Sequence, residues 1–191
     1  MVALVIHVAP ATAQVLRWDW TADESQVKNG PELDGSTNSM ATGSGFVLYD
    51  PGTNEMTVSY AWNNLFGKLT KLHIHGPASP DMNNPQHIIE TFGPPDIPAN
   101  VDLRNDTRTD TFELTTLSQP GFGDLTPTEI LDIMTSGAAY VNIHTSVFGT
   151  GEIRGNLGLP ITIPEPSSVG LAALAGMLGA AYCRRRPLIS N

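Results

Sequence analysis

The chain has 191 residues, of which 40% are hydrophobic and 15% charged, and its formal net charge is −9 at pH 7. The length fits one domain of ordinary size with short appendages, and the hydrophobic fraction excludes wholesale disorder. The acidic balance argues against nucleic acid as a partner. The 18 glycines and 15 prolines predict many turns and disfavour a helical bundle.

The first 13 residues have features of an export signal. Val2–Val8 is a short apolar run, and Ala11–Ala13 fits a cleavage site with small residues at its first and third positions. A complete signal also has a positively charged start, which this segment lacks. We interpret residues 1–13 as a truncated export signal, so His7 would be removed together with it. The alternative is a buried first strand. Residues 14–31 are assigned to an N-terminal segment.

Most of the following residues alternate between apolar and polar with a period of two, which predicts antiparallel strands. The strand-like stretches are 45–49, 56–62, 69–75, 110–114, 139–144 and 151–157. Pro51 and Gly52 predict a turn between the first two of them. Residues 92–105 contain three prolines and predict a loop that crosses between sheets.

One helix is predicted among these strands. Thr126 is a suitable N-cap, Pro127 suits the first helical position, and Glu129 completes a capping box. An apolar stripe follows, and Gly137 is a typical helix stop. The expected fold is therefore all-β, an antiparallel, Greek-key-like β-sandwich with one short helix.

Histidines on two predicted strands form a candidate metal site. The period of two places His73 and His75 together, opposite an apolar face, and gives His144 the same position on another strand. Three imidazoles suit copper or zinc, with Glu152 as a fourth ligand or an acceptor behind His144. The alternative is a satisfied polar network, with His73 and His75 on backbone carbonyls and His144 on Glu152. His87 is expected in an exposed loop.

The C-terminal residues combine three features in a fixed order. A Pro-Glu-Pro motif is followed by the uncharged stretch 169–183 and then at once by an arginine cluster. The motif is Pro164, Glu165 and Pro166, and the cluster is Arg184, Arg185 and Arg186. A hydrophobic segment ended by arginines is a stop-transfer arrangement, although this one is shorter than the about 20 residues that span a bilayer comfortably. We predict a C-terminal transmembrane helix over 169–183 and a basic cytoplasmic tail at 184–191, with an amphipathic or buried helix as the alternative.

The β-rich stretch resembles the CHRD domain, a module named from chordin and widespread in bacterial exported proteins. The resemblance covers residues 32–158 and rests on GSGFVLYDPGTNEMTVSYAW, KLHIHGPASP and AAYVNIHTSVFGTGEIRGNL. The insertion Pro94–Thr109 and the pair Phe148-Gly149 depart from the family pattern. The resemblance implies an all-β fold and extracellular display, and it implies no catalytic activity, so we expect the protein not to be an enzyme.

Residues 164–186 resemble the PEP-CTERM sorting signal of exopolysaccharide-producing Gram-negative bacteria, joined to the domain by a linker at 159–168. This resemblance implies processing by exosortase, a membrane-embedded cysteine protease, after anchoring through the C-terminal helix. We therefore expect a non-enzymatic module exported to the cell surface or extracellular matrix, with exopolysaccharide or other surface components as partners. The alternative is an exported copper- or zinc-binding protein that uses the histidine site.

Overall fold

The secondary structure is almost entirely β. The computed structural model describes residues 14–28, 37–93, 103–119 and 123–163. The strands are β1 (Val15–Ala22), β2 (Thr42–Asp50), β3 (Glu55–Asn63), β4 (Leu69–His75), β5 (His87–Phe92), β6 (Asp106–Glu113), β7 (Leu117–Gln119), β8 (Gly123–Leu125), β9 (Ala139–Thr145), β10 (Ile153–Leu157) and β11 (Ile161–Ile163). The helix α1 spans Pro127–Thr135, and a single 3-10 turn spans Glu24–Gln26.

Two antiparallel sheets make up the body of the domain. One has the order β11-β1-β2-β3-β6, and the other has the order β10-β9-β4-β5. The chain passes from the first sheet to the second after β3 and returns after β5. Apolar side chains of both sheets belong to one hydrophobic core. The prediction of a β fold with antiparallel sheets and one short helix is confirmed.

The core follows from the alternation seen in the sequence. In β3 every second residue is buried, from Met56 to Trp62, and the residues between them are partly exposed. Leu72 and Ile74 of β4 are fully buried as well and face the same core. Burying each side chain of this size contributes about 1.5–3 kcal/mol relative to exposure, so the period of two fixes which face of each sheet points inward.

Two paired strands, β1 and β11, lie outside the predicted domain boundaries 32–158. Residues 14–31 include β1, which pairs with both β2 and β11, and its Trp18 is only 1% exposed. The predicted linker 159–168 likewise contains β11. The sequence VLRWDW already alternates, with Arg17 and Asp19 paired on the solvent side, so β1 was recognisable from its period.

The helix begins as its capping residues predict. The Thr126 hydroxyl accepts a hydrogen bond from the Glu129 backbone N–H, and the Glu129 carboxylate accepts one from the Thr126 backbone N–H. Ile130 and Met134 are buried, and the Met134 carbonyl accepts a hydrogen bond from the indole N–H of Trp18. This bond and the buried apolar stripe attach the helix to the sheet that contains β1.

The predicted membrane and sorting segments cannot be compared with this fold. Residues 1–13, the Pro164–Pro166 motif, the stretch 169–183 and the arginine cluster at 184–186 all lie outside the described residues. Within the described ranges, no helix has the length and apolar character needed to cross a membrane.

Candidate metal centre

Three neighbouring strands place polar side chains on the outer face of the four-stranded sheet. Strand β4 lies between β9 and β5. In the register of β4 with β9, His73 lies opposite Asn142 and His75 opposite Tyr140, while His144 follows two residues after Asn142. Opposed residues of an antiparallel pair point to the same face, so these five side chains form one array. The intervening apolar residues of both strands point into the core.

Strand β5 adds a histidine that the sequence analysis missed. His87 lies opposite His75 and Glu90 opposite His73, although residues three apart in a regular strand face opposite sides. The register shifts between these pairs, where Ile88 is the extra residue, and such bulges re-aim side chains. The expectation that His87 lies in an exposed loop is therefore wrong.

Three of the four imidazoles are close enough to share one ion. One nitrogen from each of His73, His75 and His87 lies within 4.8 Å of the other two. Tetrahedral ligands at zinc–nitrogen distances are about 3.3 Å apart, so small ring movements would complete a site. The His144 ring belongs to the neighbouring strand β9. Its centroid is 5.0 Å from that of His73 and 5.7 Å from that of His75.

Five buried ring nitrogens in this cluster lack hydrogen-bond partners. They are both nitrogens of His73, both nitrogens of His75 and the Nε2 of His144. The backbone of Asn84 lies near His75 without forming a hydrogen bond of acceptable geometry, and the Glu90 carboxylate is 3.8 Å from the His73 Nε2, beyond hydrogen-bonding range. An unpartnered buried polar group costs about 1–3 kcal/mol. The geometry therefore does not support a network on backbone carbonyls for His73, whose two ring nitrogens both lack partners.

One hydrogen bond fixes the tautomer of His144. Its Nδ1 lies 3.0 Å from the Gly149 carbonyl oxygen, which can only accept a hydrogen bond, so this nitrogen carries the proton. The Nε2 of the same ring is then left with a lone pair, buried and without a partner. Metal-binding histidines commonly have this arrangement, in which one nitrogen donates to a carbonyl and the other is available to the ion.

Three imidazoles of the cluster are held neutral. Burial, followed by the charges of neighbouring histidines, lowers the pKa of His73 from 6.5 to about 2 and that of His75 to about 3. Burial is also the main cause that lowers the pKa of His144 to about 4, while its bond to Gly149 acts in the opposite direction. Neutral imidazole is the form that binds metal ions, so these rings need not lose a proton at pH 7.

A packed stack behind His75 holds the array in place. The ring of Tyr140 lies parallel to that of His75 with centroids 5.0 Å apart, and the Arg154 guanidinium lies 3.6 Å from the Tyr140 ring centroid. The Tyr140 hydroxyl donates to the Asn84 carbonyl, and Arg154 donates to the Met82 carbonyl. The stack thus joins the loop between β4 and β5 to the sheet beside the histidines.

Glu152 lies on the other side of the sheet. Its buried carboxylate accepts hydrogen bonds from the Ser39 hydroxyl, the Thr145 hydroxyl and the backbone N–H groups of Phe66 and Gly67, at 2.6–3.2 Å. Thr145 and His144 are adjacent in β9 and point to opposite faces, so a group bound to Thr145 is turned away from the histidines. The geometry therefore supports neither the expected ligand role of Glu152 nor its pairing with His144.

We expect Glu152→Gln to lower stability without changing metal affinity. The glutamine NH2 group would replace a carboxylate oxygen that accepts hydrogen bonds and would itself be a donor pointing at donors. The free energy of unfolding should therefore fall by about 2–4 kcal/mol. Urea denaturation measures the loss, and copper titration at a temperature where the variant is folded measures affinity. A variant of wild-type stability with weakened copper binding would contradict this placement of Glu152.

The histidines line a cavity of about 370 Å³. Its other lining residues are Lys71, Asn83, Pro85, Asn142, Gly149 and Thr150. A larger open cavity of about 590 Å³ is lined by Asn64, Leu65, Phe66, Arg104 and Asn105, without a histidine, cysteine or carboxylate among them. The smaller cavity is therefore the candidate site, because it has the donor groups that a metal ion requires.

Comparison with known protein families gives two matches. The family model of the CHRD domain matches residues 24–157, and that of the PEP-CTERM protein-sorting motif matches residues 162–186. Both resemblances seen in the sequence are thus confirmed, and the first match extends further towards the N-terminus than the predicted boundary at residue 32. No curated protein and no solved structure matches the chain.

Proposed function

The chain belongs to the CHRD domain family, and we propose that its domain is a non-enzymatic, surface-displayed module that binds copper or zinc through His73, His75, His87 and His144. The observation that carries this proposal is the set of five buried ring nitrogens without hydrogen-bond partners on the outer face of the sheet. A metal ion would take up lone pairs that the fold otherwise leaves unsatisfied.

The sorting signal indicates export of this protein. A PEP-CTERM motif implies an exported protein that is anchored in the membrane, processed by exosortase and then located at the cell surface. Exopolysaccharide or other surface components are the partners that we propose at this location. We further propose that residues 169–183 form the transmembrane helix that holds the protein until processing.

The donor chemistry favours copper and zinc over harder cations. Imidazole nitrogen suits copper and zinc, whereas magnesium and calcium prefer oxygen ligands. Copper(II) binds a given nitrogen site more tightly than zinc, so it should dominate when both are supplied equally. No carboxylate or cysteine is among the described residues that line the cavity, so the candidate ligands there are imidazole nitrogens.

Metal loading tests the proposal directly. We expect the purified full chain, treated with chelator and then incubated with copper(II) or zinc, to retain stoichiometric metal after desalting, as measured by elemental analysis. At a free metal concentration of 1,000 times Kd, binding should raise the free energy of unfolding by about 4 kcal/mol.

A ligand variant and a matched control make this test specific. His87→Phe keeps a ring of similar size in β5 but removes the ligating nitrogens, so it should retain little metal. Thr91→Val in the same strand lies outside the histidine array and should load like the wild type. Absence of stoichiometric metal in the folded wild-type chain would refute the proposal.

A further inference from the structure

We infer that the metal ion in this site takes a small exogenous ligand, water-derived and replaceable by an inorganic anion, in the space between Asn142 and Lys71. The inference rests on the proposed metal function and extends it to a second binding position. It follows from the charge of the site, the size of the cavity and one unsatisfied acceptor.

The ligand set leaves the charge of the ion uncompensated. Imidazoles are neutral ligands, so a divalent ion keeps both positive charges in a buried position, which is costly without a counter-charge. The charged residue that lines the cavity is Lys71, and it adds positive charge. The Glu90 carboxylate lies 3.8 Å from the His73 Nε2 but does not line the cavity, and its side chain is 43% exposed, so solvent screens its charge. An anionic ligand would supply the missing counter-charge.

The cavity has room for such a ligand. Its volume of about 370 Å³ is many times the about 30 Å³ that one water molecule occupies in the liquid. The histidine rings form part of its wall, so an ion bound to them would border this space. The cavity therefore has space for a small ligand beside the histidine rings.

Asn142, which lines the same cavity, has an acceptor oxygen without a hydrogen-bond partner. Its side-chain Nδ2 donates to the Thr150 carbonyl at 3.0 Å, which assigns the other end of the amide as Oδ1. This oxygen is buried and has no hydrogen-bond partner, and Asn142 as a whole is 5% exposed. Its strand position lies directly opposite His73. A metal-bound water or hydroxide would donate its O–H to this oxygen and so satisfy it.

Azide titration of the copper(II)-loaded full chain tests the second position. Azide should displace the water-derived ligand, producing a new charge-transfer absorption band and a changed electron paramagnetic resonance spectrum. Lys71→Met should weaken azide binding by about three- to tenfold, because one positive charge is lost near the anion. Lys68→Met is the matched control, since Lys68 is exposed and does not line the cavity, and it should bind azide like the wild type.

Asn142→Leu should have the opposite effect. Removal of the acceptor destabilises the bound water that azide must displace, so azide should bind about threefold or more tightly. If this variant does not fold, the azide affinities of Lys71→Met and Lys68→Met still test the inference, because both substitutions are at exposed positions.

The outcomes separate this inference from the proposed function. A wild-type chain that takes up no copper refutes the metal site itself, before azide is added. A chain that binds copper but whose spectra do not respond to azide refutes only the exogenous ligand. Equal azide affinities for Lys71→Met and Lys68→Met would also overturn it.

Discussion

Replacing His73 by phenylalanine should stabilise the metal-free protein and remove its metal binding at the same time. Both ring nitrogens of His73 are buried without hydrogen-bond partners, so a phenyl ring of similar size removes two unsatisfied polar atoms. We expect the free energy of unfolding of the chelator-treated chain to rise by about 1–3 kcal/mol. Copper affinity should fall by about 100-fold or more, because a central ligand is lost.

His144→Phe is the matched comparison for this prediction. Its Nδ1 donates to the Gly149 carbonyl, so the substitution leaves that carbonyl without its donor and should not stabilise the metal-free chain. Urea denaturation and copper titration of both variants give the two quantities. If His73→Phe unfolded more easily than the wild type without metal, the imidazole would have to be a structural, hydrogen-bonded group, as in the polar-network interpretation.

Acid should unfold the metal-free protein at a higher pH than is usual for a β-domain. The pKa values of His73, His75 and His144 are about 2, 3 and 4 in the folded protein, against about 6.5 in the unfolded chain. Above pH 6.5 the rings are neutral in both states and stability is fully present. As the pH falls below 6.5, the histidines bind protons in the unfolded state but stay neutral in the folded state. Stability is therefore lost progressively until the pH reaches the pKa values of the folded protein.

The size of this effect is comparable with the stability of a whole domain. At pH 5 each of the three histidines should cost about 2 kcal/mol, or about 6 kcal/mol together, against a typical total of about 5–15 kcal/mol. Urea denaturation between pH 7.5 and pH 5 should show the uptake of about three protons on unfolding. His73→Phe should reduce that number by about one, and a stability that stays constant over this range would contradict the neutral, buried state of the cluster.

The histidine site shows how far sequence reasoning reaches in a β-sheet. The period of two placed His73 and His75 together, and the apolar neighbours of His144 placed it on the matching face of another strand. These residues could be found because the alternation of β4 and β9 is regular where they lie. His87 was missed because β5 was not predicted as a strand, and the extra residue at its bulge also reverses the face that a regular alternation would give.

For Glu152, nearness in the sequence predicted a contact that the structure does not contain. It follows a loop that leads back beside His144, and proximity in the hairpin suggested that the two side chains meet. The carboxylate instead turns to the other face, where four donors from Ser39, Phe66, Gly67 and Thr145 surround it. Three of these donors come from residues at least 85 positions away in the chain, so no local pattern could reveal them.

By itself, the sequence determined the properties that depend on short-range order. These are the alternating strands, the capped helix at Thr126 and the two family signatures, each encoded by residues a few positions apart. The tertiary structure alone decided that His87 joins the other histidines at one cavity and where the buried carboxylate points. Strand register and bulges set these relations, and they depend on how distant segments pack across the sheet.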